Sequence, residues 1–258
     1  MSQEHYALVT GASSGIGECF ARALAARKHD LLLVARSREK LEALAAELRS
    51  SQGVQALPLA FDLSQPGAAA GLAAKLSADE LGVDLLINNA GFGARGEFWQ
   101  LPQERQDQML RLNIEAVVGL THLLLPTMIE RRRGGIINVS STASFQPVPY
   151  TAAYGATKAF VTSFSMSLAE ETRPYGIRVV TLCPGGTRTN FFVAGEYHKR
   201  TLPGGLQTPE EVVAAALQSL DRGGGLVVPR LMNKASVFAQ RFLPRSLVAR
   251  IAARLFRP

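Results

Sequence analysis

Tyr154 and Lys158 stand four residues apart in the run Tyr-Gly-Ala-Thr-Lys, a spacing that puts both side chains on one face of a helix, one turn from each other. A phenol with a reference pKa near 10 is a poor acid at neutral pH, but an ammonium beside it favours the tyrosinate and lowers that value. Such a pair can move a proton where a reacting oxygen changes charge. Upstream, the apolar run Ile136-Ile-Asn-Val-Ser140-Ser141 ends in two hydroxyls. Either they close a strand as a turn or N-cap pair, which suits Ser140, or they donate to that oxygen, which suits Ser141.

A second constellation opens the chain: Thr10-Gly11-Ala12-Ser13-Ser14-Gly15-Ile16-Gly17 follows a strand pattern and leads into a helix. Glycines at 11, 15 and 17 let the backbone turn sharply and approach a pyrophosphate, whose charge would sit at the helix N-terminus. The spacing differs from GxGxxG, and alone it could be only a tight strand–helix connection. Its place in the first βα unit favours a dinucleotide. The next strand ends in Arg36-Ser37-Arg38, where an NAD-binding chain would place an acid on the ribose 2′-hydroxyl. A guanidinium there suits a 2′-phosphate, so the sequence predicts NADP(H), with Arg36 as main contact and Ser13 and Arg38 as helpers. A solvated charge cluster opening a helix is the alternative.

The elements that must position these residues are legible. Apolar runs at 5–10, 31–35, 54–62, 84–88, 135–140, 177–183 and 226–228 read as buried parallel strands. Helix-period segments lie between them at 16–27, 38–50, 68–81, 102–131, 153–175 and 209–220. The alternation predicts an α/β Rossmann-type fold, a doubly wound, mainly parallel seven-stranded sheet with helices on both faces and ligands at the strands' carboxyl ends. Thr208-Pro-Glu-Glu211 forms a capping box, whereas Phe191 to Thr208 has no clear period and reads as a long loop.

With 258 residues, 47% hydrophobic and 19% charged, the chain can bury one large core and is too apolar to be disordered. The expected organisation is one catalytic domain over 1–228 and a basic amphipathic helical extension over 229–258. Cys19 and Cys183 lie far apart without a CxxC, which argues against a disulfide scaffold or a zinc module and for free thiols in a reducing cytoplasm. The polar N-terminus runs straight into a strand pattern with no signal-peptide form, and the apolar stretch from Ala116 to Pro126 is far short of a membrane span. Residues 1–225 hold 21 Lys+Arg and 21 Asp+Glu, but 226–258 hold seven basic residues and no acid. A neutral body speaks against nucleic-acid binding. In the tail, Leu247, Ile251 and Leu255 share one helical side, with Arg250, Arg254 and Arg257 beside them. That helix either caps its own subunit or a partner, or makes peripheral contact with anionic lipid.

The glycine turn, Asn88-Asn89-Ala90-Gly91, Asn113, Ser141, Tyr154xxxLys158 and Pro184-Gly185 occur in the order and spacing of the classical short-chain dehydrogenase/reductase family, which residues 5 to 228 resemble. The resemblance implies metal-free, NAD(P)-dependent interconversion of a carbonyl and an alcohol by the tetrad Asn113, Ser141, Tyr154 and Lys158, in a homodimer or homotetramer. It makes Tyr154 the proton donor, Ser141 a donor to the substrate oxygen, and Lys158 a partner of the nicotinamide ribose. Asn113, through a helix distortion and water, positions Lys158. It also places Asp62 and Leu63 beside the adenine, Asn89, Ala90 and Gly91 in a turn supporting the cofactor, and Pro184, Gly185, Thr187 and Thr189 around the nicotinamide and pyrophosphate. Asn88 is expected to brace strands.

The substrate wall is expected from Phe92, Phe145, Tyr150, Phe191 and Phe192, apolar enough for a hydrophobic ketone or aldehyde such as a ketosteroid or 3-oxoacyl compound; any one of these rings could instead pack a loop on the core. An NAD-linked alcohol dehydrogenase and a non-catalytic NADP(H) sensor or scaffold are the competing functions.

Overall fold

The computed structural model describes residues 5–189 and 205–257. Its sheet contains β1 (His5–Thr10), β2 (Leu31–Ala35), β3 (Ala56–Ala60), β4 (Gly82–Asn88), β5 (Gly134–Val139), β6 (Ile177–Leu182) and β7 (Gly225–Val227). The strand order is β3-β2-β1-β4-β5-β6-β7 and every pairing is parallel. The expected seven-stranded, doubly wound sheet is therefore present. Its order reverses between β1 and β4, which opens a crevice at their carboxyl ends.

The strands are apolar on both faces because both faces are covered. In β1, Ala7 and Val9 join a core with α1 (Gly15–Ala26), α2 (Arg38–Gln52) and α7 (Pro209–Asp221). Tyr6 and Leu8 join the opposite core, which contains residues of α3 (Ala68–Ala78), α5 (Ala116–Glu130) and α6 (Ala152–Thr172). The capping box forms as expected: Glu211 N donates to Thr208 Oγ1 at 3.3 Å, and Thr208 N donates to Glu211 Oε2 at 3.1 Å.

The long helix expected over 102–131 is interrupted. α4 (Gln103–Leu110) and α5 are joined by a π-helical turn, Arg111–Glu115, that carries Asn113. By length and composition alone 103–130 could cross a membrane, yet Ala116, Leu120 and Met128 are core residues beneath the sheet. The tail forms two helices, α8 (Leu231–Ala239) and α9 (Arg245–Phe256). In α9 the buried side is one residue later than expected, at Val248 and Ala252 rather than Leu247 and Ile251. The last turn of α9 is tied down by Arg95, whose Nε donates to Phe256 O at 3.1 Å and whose Nη2 donates to Arg257 O at 2.7 Å.

A buried amide chain locks the elements that bear the site. Asn88 Nδ2 on β4 donates to Thr121 Oγ1 on α5 at 3.1 Å and to Asn138 Oδ1 on β5 at 2.9 Å. Asn138 Nδ2 donates to Ser165 Oγ on α6 at 2.9 Å. Asn88 is thus the brace that the sequence suggests. Asn138→Ala strands a buried donor and a buried acceptor, each costing about 1–3 kcal/mol; chemical denaturation is expected to show a lower midpoint with an unchanged slope.

Candidate active site

The carboxyl ends of the central strands open into a cavity of about 970 Å³. The glycine turn forms its floor. Gly11 and Gly15 have φ of +67° and +59°, where side-chain-bearing residues are strained, and a Cβ on Gly17 would lie 2.2 Å from Gly11 O. No side chain caps the first turn of α1, so its backbone N–H groups are available to an anion. Gly11, Ser13, Ser14, Gly15 and Ile16 line the cavity; Gly17 lies behind them and serves packing instead. Thr10 stitches this turn to the next strand end: its Oγ1 accepts from Asn89 N and Ala90 N, both at 3.0 Å. That junction sets Asn89, Ala90 and Gly91 on the wall.

Arg36 lines the cavity, as do Asp62 and Leu63. Burial raises the Asp62 pKa, but hydrogen bonds from Ser64 and Gln65 and the Arg36 charge outweigh it and leave the carboxyl below its usual value. Arg38 is not on the wall. As the first residue of α2 it points along its own helix, 3.7 Å from Glu42, and is largely exposed. The cation that joins Arg36 from the start of α2 is instead Lys40, and Ser37 also lines the cavity. Lys40 lies in the first turn of α2, two residues past Arg38, and no spacing rule in the sequence distinguishes it from Arg38.

Ser141, Tyr154 and Lys158 share the opposite wall. Lys158 is only 5% exposed. Its Nζ donates to Val139 O at 2.8 Å and lies 5.9 Å from the Tyr154 ring centre. Burial pushes its pKa down to about 8. Ser140 Oγ donates to Lys158 O at 2.8 Å and contacts Thr162 Oγ1 at 2.7 Å, a structural role, whereas Ser141 Oγ accepts only from Ala143 N among these contacts and keeps its proton for another partner. Asn113 is fully buried behind the wall. It grips the backbone of Phe92 from both ends, accepting from its N at 3.2 Å and donating to its O at 3.0 Å, and also donates to Thr157 Oγ1 at 3.0 Å. A Cβ on Gly91 would come within 2.9 Å of Asn113 Oδ1 and 3.4 Å of Lys158 Nζ.

Pro184, Gly185, Thr187 and Thr189 close the third side. Gln207, which the sequence did not single out, clamps this segment: its Oε1 accepts from Gly185 N at 3.0 Å, and its backbone bridges to Gly186 and Arg188. The glycine cradle, the uncapped helix end and the adjacent cations fit a nicotinamide dinucleotide.

The expected substrate wall is only partly correct. Phe92 lines the cavity, with the Arg105 guanidinium 5.4 Å from its ring centre. Phe145 instead packs beneath it on Cys183, Val228 and Val237. Tyr150, at φ +64°, is turned toward a separate small void with Gly96 and Gln106. Phe191 and Phe192 lie outside the described residues. The missing apolar wall comes from the tail: Met232, Leu243, Val248, Ile251, Leu255 and Phe256. The 248-251-252-255 spacing in the sequence carried that signal.

Residues 5–198 match the short chain dehydrogenase family. The chain is 35% identical over 225 residues to a very-long-chain 3-oxoacyl-CoA reductase of Phaeosphaeria nodorum, the match covering 85% of this chain and 64% of that protein; it thus spans somewhat under two thirds of that curated relative. A solved short-chain dehydrogenase from Sphingobium yanoikuyae, in complex with NADPH, superposes with a TM-score of 0.81 at 36% identity, covering 93% of this chain and 96% of that one. A bulky-bulky ketone specific alcohol dehydrogenase from Comamonas testosteroni gives a TM-score of 0.78 at 32% identity, covering 95% and 97%.

The buried lysine has a consequence for stability. Its folded pKa of about 8 lies below the roughly 10.4 of an unfolded chain, so between these values the unfolded state binds more protons and stability rises with pH. Lys158→Met removes the penalty. Without cofactor, the variant is expected to exceed the parent by about 1–3 kcal/mol at pH 7, with the lost bond to Val139 limiting the gain. That advantage should shrink as pH rises from 8 toward 10. Urea titrations of both proteins at the two pH values test this; a variant less stable at pH 7 would contradict it.

Proposed function

We propose, because the chain belongs to the short-chain dehydrogenase family, that this oxidoreductase is an NADPH-dependent reductase of bulky apolar carbonyl compounds, 3-oxoacyl thioesters foremost. One observation carries this reading: Ser141, Tyr154 and Lys158 share a single cavity with Arg36 at one end and the apolar tail wall at the other.

NADPH, when bound, supplies the hydride that reduces the carbonyl carbon. The carbonyl oxygen must then gain a proton, which the Tyr154 hydroxyl donates. Ser141 Oγ donates a hydrogen bond to the same oxygen as its negative charge grows. The Lys158 ammonium stabilises the tyrosinate left behind, and its remaining protons would be available to the ribose hydroxyls of a bound cofactor. Asn113 positions this group by fixing Phe92 and Thr157. Arg36 and Lys40, with Ser13 and Ser37, line the cavity and supply the cations and hydroxyls that would hold a 2′-phosphate. Asp62 and Leu63 take the adenine side, and Thr187 and Thr189 the nicotinamide side.

An apolar wall of six tail residues suits a long chain or a fused ring system better than a sugar. The name of the Phaeosphaeria nodorum relative favours the acyl thioester, and that of the Comamonas testosteroni enzyme favours a ketone bulky on both sides.

The test follows NADPH oxidation, with NADH in parallel, against 3-oxoacyl thioesters of increasing chain length, ketosteroids and short ketones. Turnover selective for NADPH and rising with apolar bulk is expected. Tyr154→Phe should lose at least about a hundredfold in kcat while still binding NADPH; near-normal turnover removes the assigned role. Arg36→Asp should weaken NADPH about ten- to a hundredfold relative to NADH, and an unchanged preference overturns the cofactor assignment.

A further inference from the structure

We propose that α8 and α9 dock the protein on an anionic lipid bilayer, with the mouth of the active-site cavity facing the lipid. The proposal goes beyond the redox reading and does not depend on it.

The first support is an apolar surface that the fold leaves in water. Leu231, Phe238 and Phe242 are 82%, 57% and 73% exposed, and their spacings of seven and four bring them to one side of α8 and the turn that follows. The two phenylalanine rings meet edge to face, with centroids 5.2 Å apart. Exposed large hydrophobics normally occur singly; a cluster of them marks a contact surface.

The second support is charge, which selects the partner. From residue 226 to the end there are seven basic residues and no acid, while the rest of the chain is balanced. Arg230 is paired with Glu211 at 3.0 Å. Lys234, Arg241, Arg245, Arg250 and Arg254 are exposed and form no ion pair among the described residues. Aromatic and aliphatic side chains rimmed by unpaired cations are the chemistry of a helix lying in the interface of an anionic membrane. A second copy fits poorly, because a two-fold contact would set these cations against themselves.

The third support links surface to site. Leu243, Ile251 and Leu255 line the cavity and are each about two-fifths exposed, so the cavity opens through the same helices. Docking by Phe238 and Phe242 brings that opening to the lipid, where a carbonyl compound too apolar for water would reside.

The experiment is co-sedimentation of the full chain with vesicles of phosphatidylcholine alone and of phosphatidylcholine with phosphatidylserine. Strong binding only to the anionic vesicles, weakening with salt, is expected. Two variants separate the contributions without touching the cavity wall: Phe238→Ser with Phe242→Ser, and Arg241→Glu with Arg245→Glu and Arg250→Glu. Each should keep the parent's thermal midpoint and NADPH binding. The apolar variant should lose at least about tenfold in vesicle partitioning, and the charge-reversal variant at least about a hundredfold. Equal binding to both vesicle types, no binding by the folded parent, or full binding by either variant overturns the proposal. So does a parent oligomer that dissociates in the Phe238→Ser, Phe242→Ser variant, since a second copy would then cover the surface. Sedimentation needs no turnover, so a failure here leaves the redox assignment standing.

Discussion

A lysine ammonium placed inside a protein is expensive unless every neighbour is arranged around it, and the burial of Lys158 organises the rest of the site. Its acceptor among the described residues is Val139 O, the carbonyl that ends β5. For the amine to reach it, α6 must lie close against β5, and the Asn138–Ser165 and Ser140–Lys158 hydrogen bonds hold it there. On the far side Gly91 leaves the space that the amine and the Asn113 amide require. Burial brings the pKa to about 8, so the group remains mostly charged at neutral pH, as stabilising a neighbouring phenolate requires, yet lies close to the point of losing its proton. The stability sacrificed there is the usual trade at a functional site.

The π turn at Arg111–Glu115 belongs to the same arrangement. A regular helix from Gln103 to Glu130 would satisfy its backbone better, and π turns persist mostly where function holds them. This one brings Asn113 between two segments distant in sequence, the Phe92 backbone after β4 and Thr157 on α6, and its amide bonds to both. The loop leaving β4 and the helix carrying the tyrosine and lysine thus share one hinge point, which is why Asn113 can act through other residues while staying off the cavity wall.

How much of this the sequence disclosed depended on the range of the forces involved. Strands such as Leu31–Ala35 were legible because burial on both faces demands continuous apolar runs, and the glycine turn because backbone sterics leave few alternatives. Side-chain direction was harder. Arg38 and Lys40 both lie just past β2, but Arg38 is drawn to Glu42 one turn along α2 and only Lys40 faces the cavity. Tyr150 has a left-handed backbone and borders a separate small void, and Phe145 is packed on the cluster of Cys183, Val228 and Val237, placements that aromatic type alone does not reveal. Composition and spacing gave no sign of the π turn, which depends on what Asn113 meets across the fold; only the family resemblance implied the helix distortion that Arg111–Glu115 shows. The tail's periodicity announced an amphipathic helix, but only tertiary contact decides which side is inside and what it covers.

That tail is attached differently from the other helices. α1 to α3 and α5 to α7 add side chains to the two large cores against the sheet, whereas the cluster beneath α8 contains only Cys183, Val228 and Val237 with Phe145 against them. α9 has Val248 and Ala252 buried and its last carbonyls held by Arg95, a contact suited to the negative end of a helix. Fewer buried apolar contacts mean that separating this roof from the body costs less than opening any part of the sheet. The glycine turn, Ser141, Tyr154 and Lys158 are therefore carried by elements that build the two large cores, while Val248, Ile251 and Leu255 of the cavity wall come from α9.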